Sequence, residues 1–305
     1  MTAASAASGA LRRNVIRPAA LCFAIAALGL GGPLRAEVPL SIADSGHATV
    51  PVLIEGIGVF EFVLDTGAEG SAVYAPFHAA HNLPLRAEAT ELQGQTGSAP
   101  VPLAELPPLL VDGLRSGNVA AVVLDARADG VPLSGIIGLD VFGGVTLDFD
   151  LPRGRAAFHP SGSRLPGLDA RDAVAASTTT GGLLTFPVAI AGVEAVAVLD
   201  TGARKTRINW RLGRLLGLDA ATLARGDVIQ GATNSAVVTS EATVPDVRFG
   251  RVRLPSAPVL VADLPVFDLF GVGDRPAVIF GLDWLTATRL VVDFPLRRIW
   301  FQDGR

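Results

Sequence analysis

Two aspartates in this chain occupy nearly the same local setting. Phe62-Val63-Leu64-Asp65-Thr66-Gly67-Ala68 ends an apolar run with a carboxylate and follows it with a glycine that can turn without steric cost. Val196-Ala197-Val198-Leu199-Asp200-Thr201-Gly202-Ala203 does so again. One carboxylate from each copy, each at the end of a buried strand, is the requirement for two aspartates that share a proton. Carboxylates held about 3 Å apart cannot both ionise, so such a pair titrates in two split steps. The ionised member can take a proton from a water between them while the protonated member donates to a carbonyl oxygen. Water is then the nucleophile, and neither a metal nor a cofactor is needed. Gly67 and Gly202 lack a Cβ, which lets each turn approach the opposite carboxylate closely.

The segments that must position these aspartates also recur. Pro51-Val52-Leu53-Ile54 with Gly56 precedes the first, as Pro187-Val188-Ala189-Ile190 with Gly192 precedes the second, and both read as hairpins. About thirty residues downstream, Leu92-Gln93-Gly94-Gln95-Thr96 answers to Ile229-Gln230-Gly231-Ala232-Thr233. Ile136-Ile137-Gly138-Leu139-Asp140 then answers to Ile279-Phe280-Gly281-Leu282-Asp283. Strand pairs close each copy, Val145 to Phe149 with Ala156 to Phe158, and Leu290 to Phe294 with Ile299 to Phe301. Short helices are expected at Ala75 to Asn82, at Arg207 to Leu216, and just after Gly138 and Gly281. Ser, Thr, Gly and Pro dominate 161–180, which reads as a linker between lobes at 40–160 and 181–305. The expected fold is mainly β, two related barrel-like lobes in tandem.

Residues 1–36 hold Arg12, Arg13 and Arg17, an apolar run from Ala19 to Leu30, and small residues up to Ala36. They read as a signal peptide cleaved near Ala36, or as a membrane tether if cleavage fails. Arg12-Arg13 also suits twin-arginine export, so the expected location is outside the cytoplasm, in the periplasm. Removing the four arginines of this segment leaves 21 basic side chains against 29 acidic ones, a net charge of about −8, and nucleic acid is not an expected partner. The single cysteine, Cys22, lies within the apolar run, so the mature chain has no thiol for a disulfide, a metal or a nucleophile.

The duplicated Asp-Thr-Gly-Ala turns, the glycine-centred hairpins and the apolar-apolar-Gly segments resemble the retropepsin-like aspartic proteases. The likeness is greatest to bacterial single-chain proteins with two fused retroviral-type, gag-polyprotein-like repeats. It implies an intramolecular pseudodimer in which Asp65 and Asp200 are the catalytic pair. It also implies that Thr66 and Thr201 hydrogen-bond across the pseudo-twofold, beside Gly67, Ala68, Gly202 and Ala203. Gln93-Gly94 and Gln230-Gly231 become the tips of two flaps over an extended peptide. Pepsin-like enzymes carry a flap tyrosine, whereas the one tyrosine here is Tyr74. Glu69 and Arg204 hold matching positions after each turn, where relatives often contact substrate. Leu64, Leu199, Ile137 and Phe280 are expected as apolar walls around the dyad.

Other polar residues have plainer readings. Asp140 and Asp283 follow Gly-Leu at the start of short helices and are expected as N-caps. Ser71 and Thr206 are expected as hydrogen-bonded supports, since no base accompanies them as nucleophiles. His78 and His81 have helical spacing but no third ligand nearby, so no metal site is assigned. The sequence therefore points to an exported, monomeric aspartic endopeptidase acting on peptide or protein. The competing readings are a non-catalytic peptide-binding module with the same groove and a dimer with exchanged lobes. Repeat two alone carries Arg204, Lys205, Arg207 and the three tryptophans, so the two halves of the groove are expected to be unequal, with an acidic segment favoured on the second-lobe side.

Overall fold

Alternating apolar residues set most of the backbone into strands. In Leu184–Ile190 every second side chain is buried, the pattern of a strand with one face on a core. The protein is described by a computed structural model covering residues 37–230 and 236–304. The expected signal segment with Cys22, and Gly231, lie outside the described residues. The fold is mainly β, two tandem lobes of related topology.

In the second lobe six strands close on themselves. The ring runs Leu184–Ile190, Val193–Leu199, Ala277–Phe280, Arg207–Ile208, Val252–Val261, Ala236–Phe249 and back to the first. The first lobe repeats that order with Ala48–Ile54, Gly58–Leu64, Gly135–Ile137, Ala72–Tyr74, Val119–Leu124 and Gly97–Leu106. Leu109–Val111 lies against Ala48–Ile54 there, and the sheet stays open among the described residues. In each lobe the strand ending at the aspartate is flanked by its hairpin partner and by a parallel strand from far downstream. Leu64 lies opposite Ile137, and Leu199 opposite Phe280.

The lobes share a third sheet of six strands. Val145–Asp150 of the first pairs antiparallel with Thr288–Asp293 of the second, Leu147 opposite Val292. Arg289 reaches across this join to Asp148, Nε at 2.8 Å and Nη2 at 2.6 Å, in a bidentate pair whose side chains are only 12% and 13% exposed.

Three local expectations change. Residues 161–180 are built into the fold: Val174–Ala175 pairs with Arg298 and Ile299, Ser177–Thr178 pairs with Leu184 and Thr185, and Trp300 Nε1 donates to the Asp169 carbonyl at 2.8 Å. The helix expected from Arg207 starts only at Trp210, where Asn209 Oδ1 caps it by accepting from the Leu212 N–H at 3.0 Å. Arg207 and Ile208 are strand because they are inserted between Leu260–Val261 and Val278–Ile279, a tertiary constraint absent from local sequence. A helix at Pro265–Leu269 was not expected.

Replacing Arg289 by Met keeps the bulk of the stem but strands the Asp148 carboxylate inside the join. We expect a loss of about 2–4 kcal/mol of unfolding free energy in chemical denaturation, and a smaller loss when Asp148 is also changed to Asn.

Candidate active site

Each aspartate is delivered by the last residues of an apolar strand whose parallel neighbour clamps its backbone. The Asp65 N–H donates to the Ile137 carbonyl and the Asp200 N–H to the Phe280 carbonyl, both at 3.1 Å. Between the two turns lies a reciprocal threonine lock. Thr66 Oγ1 donates to the Leu199 carbonyl at 3.1 Å and accepts from the Thr201 N–H at 3.0 Å. Thr201 Oγ1 donates to the Leu64 carbonyl at 2.7 Å and accepts from the Thr66 N–H at 3.0 Å. Both threonines are buried, so each hydroxyl satisfies one donor and one acceptor that would otherwise be stranded.

The glycines work by having nothing where a side chain would begin. A Cβ on Gly67 would stand 2.5 Å from Asp200 Cγ, and one on Gly202 would overlap the Asp65 carboxyl. The two carboxyls are thus interleaved, each against the other lobe's turn, and they hydrogen-bond to each other. The Gly67 N–H donates to Asp65 Oδ1 at 2.7 Å, and the Ala203 N–H to Asp200 Oδ1 at 2.8 Å.

Asp140 and Asp283 do not cap the helices that contain them; the N-cap positions belong to Gly138 and Gly281. Asp140 instead accepts from the Ser71 N–H at 3.0 Å and Ser71 Oγ at 2.7 Å, while Ser71 Oγ accepts from the Gly138 N–H at 3.1 Å. Asp283 accepts from the Thr206 N–H and Oγ1 at 2.9 and 2.7 Å, and Thr206 Oγ1 accepts from the Gly281 N–H at 3.0 Å. These buttresses tie the segment after each aspartate to the short helix behind it. Leu64, Leu199, Ile137 and Phe280 belong to the lobe cores, because the residue before the aspartate faces the other side of its strand. The groove face of the second lobe carries Val198 and Ile279 instead.

Burial and the charge of Asp200 push the Asp65 carboxyl well above its ordinary range, against the opposing amides of Gly67 and Gly202. Burial also raises Asp200, but the positive charge of Arg207, the Ala203 amide and the hydrogen bond from Asp65 pull it back. Both carboxyls are thus pushed toward the protonated form, and the Arg207 charge with the Gln95 hydrogen bond favours leaving the remaining negative charge on Asp200.

The hairpin Leu85–Gly94 with Gly97–Leu106 extends over the pair, and its turn is Gln95-Thr96, just beyond Gln93-Gly94. Gln95 Nε2 donates to Asp200 Oδ2 at 3.1 Å. Sequence reasoning passed over Gln95, although its place between Gly94 and Gly97 marks it as a turn residue. In the second lobe Gln230 ends the strand Ala224–Gln230, opposite Ala236. Glu69 and Arg204 both reach the opposite lobe. The Glu69 carboxyl fills the space a Cβ on Gly181 would need, and Arg204 Nη1 donates to the Ser45 carbonyl at 3.1 Å. Lys205 turns away to Asp227 at 2.8 Å.

With this geometry in view, the aspartyl protease family profile matches residues 50–141 and 186–284, one match per lobe and more than half the chain together. The chain belongs to that family, in its retropepsin-like form with two repeats. A search of curated proteins finds no match to it.

Thr201→Val keeps the shape of the side chain but leaves the Thr66 amide and the Leu64 carbonyl unpaired. We expect a loss of about 1–3 kcal/mol in denaturation. The double change with Thr66→Val should lose less than the sum of the singles, because both hydroxyls serve one network.

Proposed function

We propose that this protein is an exported aspartic endopeptidase that hydrolyses peptide bonds with a water activated between Asp65 and Asp200. The observation that supports this most directly is the interleaving of two buried carboxyls, one from each repeat, hydrogen-bonded to each other and locked by the threonine exchange. Family membership supports a hydrolase of the protease class.

In this reading Asp200, the more ionised member, takes a proton from the water as its oxygen adds to the scissile carbonyl carbon. Asp65 gives its proton to the carbonyl oxygen, which yields a neutral tetrahedral gem-diol. The proton gained by Asp200 then passes to the departing amine nitrogen as the C–N bond breaks, and a gem-diol hydroxyl returns a proton to Asp65. The dyad ends as it began. Gln95 stands at the same Asp200 oxygen and must yield to the substrate, which gives the first-lobe hairpin a direct part in binding. The Gln95, Gln93-Gly94 and Gln230-Gly231 hairpins act as flaps over an extended peptide.

Export rests on the arginine-led apolar segment of residues 1–36, and no described helix is long and apolar enough to cross a membrane. Since one polypeptide supplies both carboxyls and the sheet that joins the lobes, the active form is a monomer that needs no partner subunit. Sedimentation is expected to give a monomer whose specific activity does not change on dilution. A dimer with activity that vanishes on dilution would establish lobe exchange instead.

Asp65→Asn and Asp200→Asn should each reduce kcat by at least about a thousandfold, since half a dyad cannot position the shared proton. Each variant should stay folded and keep its affinity for an uncleaved peptide; turnover that survives in either removes the assignment, and a peptide-binding module would show affinity with no turnover in the parent protein. The pH dependence follows from Asp65. Its folded pKa is raised, so the folded state holds a proton that the unfolded chain has already lost above its ordinary carboxyl pKa. This contribution to stability is present on the acid side and lost as pH rises through the raised value; activity falls over the same rise, and falls again at lower pH where Asp200 takes up a proton. Asp65→Asn should remove that limb from the stability profile measured by thermal unfolding across pH.

A further inference from the structure

Arg207 is a largely enclosed cation, two of whose guanidinium nitrogens have no partner among the described residues, on the face of the fold that carries Asp200. It lies in the short strand Arg207–Ile208, opposite Ile279 on one side and Leu260 on the other. Residues directly opposite in a sheet share a face, and Ile279 is also opposite Val198. Val198 and Asp200 share a face through the two-residue strand period. The same side is covered by an apolar cluster that includes Val198, Leu260, Ile279 and Ile229, the last from the second-lobe hairpin.

Arg207 Nε and Nη1 are shielded from solvent and have no hydrogen-bond partner, and no carboxylate lies within ion-pair distance of the guanidinium among the described residues. The acids that feel its charge are engaged elsewhere. Asp283 is held by Thr206, Asp227 by Lys205, and Asp200 by Ala203 and Gln95. Isolation of a buried charge is expensive, and burial accordingly lowers the Arg207 pKa. Burial, with Arg127, Arg204 and Arg207 itself, also brings the nearby His47 pKa down to about 4, so that imidazole is neutral and offers no counter-charge.

The other half of the groove shows what the fold itself requires at this place. Ala72 is the first-lobe counterpart, paired with Ile136 and Val122 as Arg207 is with Ile279 and Leu260, and it is packed among Tyr74, Leu124, Leu92 and Leu133. An alanine suffices there. The guanidinium is therefore an addition on one side of a duplicated site.

We propose that Arg207 determines specificity by receiving a carboxylate of the peptide on the second-lobe side of the cleaved bond, so that acidic substrates are selected there. The proposal rests on the protease reading above for its substrate class. A guanidinium pairs with a carboxylate through two parallel hydrogen bonds, and a desolvated setting strengthens both. An amide of the same shape would leave one cationic N–H facing another N–H, so discrimination between acid and amide should be steep. The carboxylate could be an Asp or Glu side chain or the C-terminus of the peptide.

The test uses peptide pairs that differ only by Glu against Gln at each position around the cleaved bond, with chains ending at the selected position as free acid or amide. We expect one position, on one side only, where Glu exceeds Gln in kcat/KM by about tenfold or more. In Arg207→Met that ratio should fall to near one, and in Arg207→Lys to an intermediate value. A purely structural role would lower stability or activity on all peptides and leave the ratio unmoved. A preference that follows internal side chains identifies Asp or Glu as the recognised group, and one confined to free-acid ends identifies the C-terminus. Should the protein show no hydrolysis, the same pairs are measured for binding to Asp200→Asn with and without Arg207→Met. An acid-over-amide affinity ratio lost with Arg207 sustains this proposal apart from the protease reading. Equal treatment of acid and amide at every position, or a ratio unchanged by both Arg207 variants, overturns it.

Discussion

Two carboxyl groups have to be brought together where water is scarce, and the hydrogen bonding around them in both lobes answers to that constraint. Two full negative charges at about 4 Å repel by roughly 4 kcal/mol at an effective dielectric constant of 20. A shared proton removes that repulsion and replaces it with a hydrogen bond, so a protonated dyad is the state the fold can hold. The threonine exchange sets the distance, because each hydroxyl is tied to backbone of the other lobe. The absent Cβ atoms of Gly67 and Gly202 make that distance attainable. Ser71 with Asp140, and Thr206 with Asp283, stop the turns from relaxing outward.

Duplication places the two carboxyls in equivalent frames, but not in equivalent fields. Asp200 has Arg207 and the Gln95 amide near it, while the charge that acts on Asp65 is that of Asp200 itself. These groups favour charge on Asp200 and the proton on Asp65. In a symmetric pair the proton would have no preferred owner until substrate arrived. Here the surroundings of the two carboxyls differ before any ligand arrives.

Much of this was legible in the sequence, for a physical reason. The duplicated Asp-Thr-Gly turns, the hairpins before them and the closing strand pairs all have a two-residue period and fixed turn chemistry, which are local signals. What failed were features set by distant chain. Arg207-Ile208 looked like the start of a helix, yet strands some fifty and seventy residues away claim it for the sheet. Asp140 and Asp283 have the local look of caps, but their acceptors serve Ser71 and Thr206, which only the fold brings near. Leu64 and Leu199 were assigned to the groove when strand alternation, read from the aspartate, already sends them to the core. The linker went unread as structure because its strands, only two residues long, exist by pairing with Arg298–Ile299 and Leu184–Thr185.

Fusion of the repeats explains why the halves could diverge where they did. In a homodimer any change near the axis appears twice, so a buried arginine on one side imposes a second on the other, and two unpaired cations would flank the dyad. A single chain escapes that restriction. Among the described residues the second lobe closes its barrel while the first stays open, Arg204 and Glu69 bring opposite charges to matching places, and Arg207 stands where the first lobe has Ala72. The shared parts show the opposite behaviour. Threonine lock, glycine approach and buttressed helix are the same in both halves, because each acts on both carboxyls at once and a change in either copy would move the pair. The two halves agree where a contact ties both carboxyls together and differ where each half meets only its own surroundings.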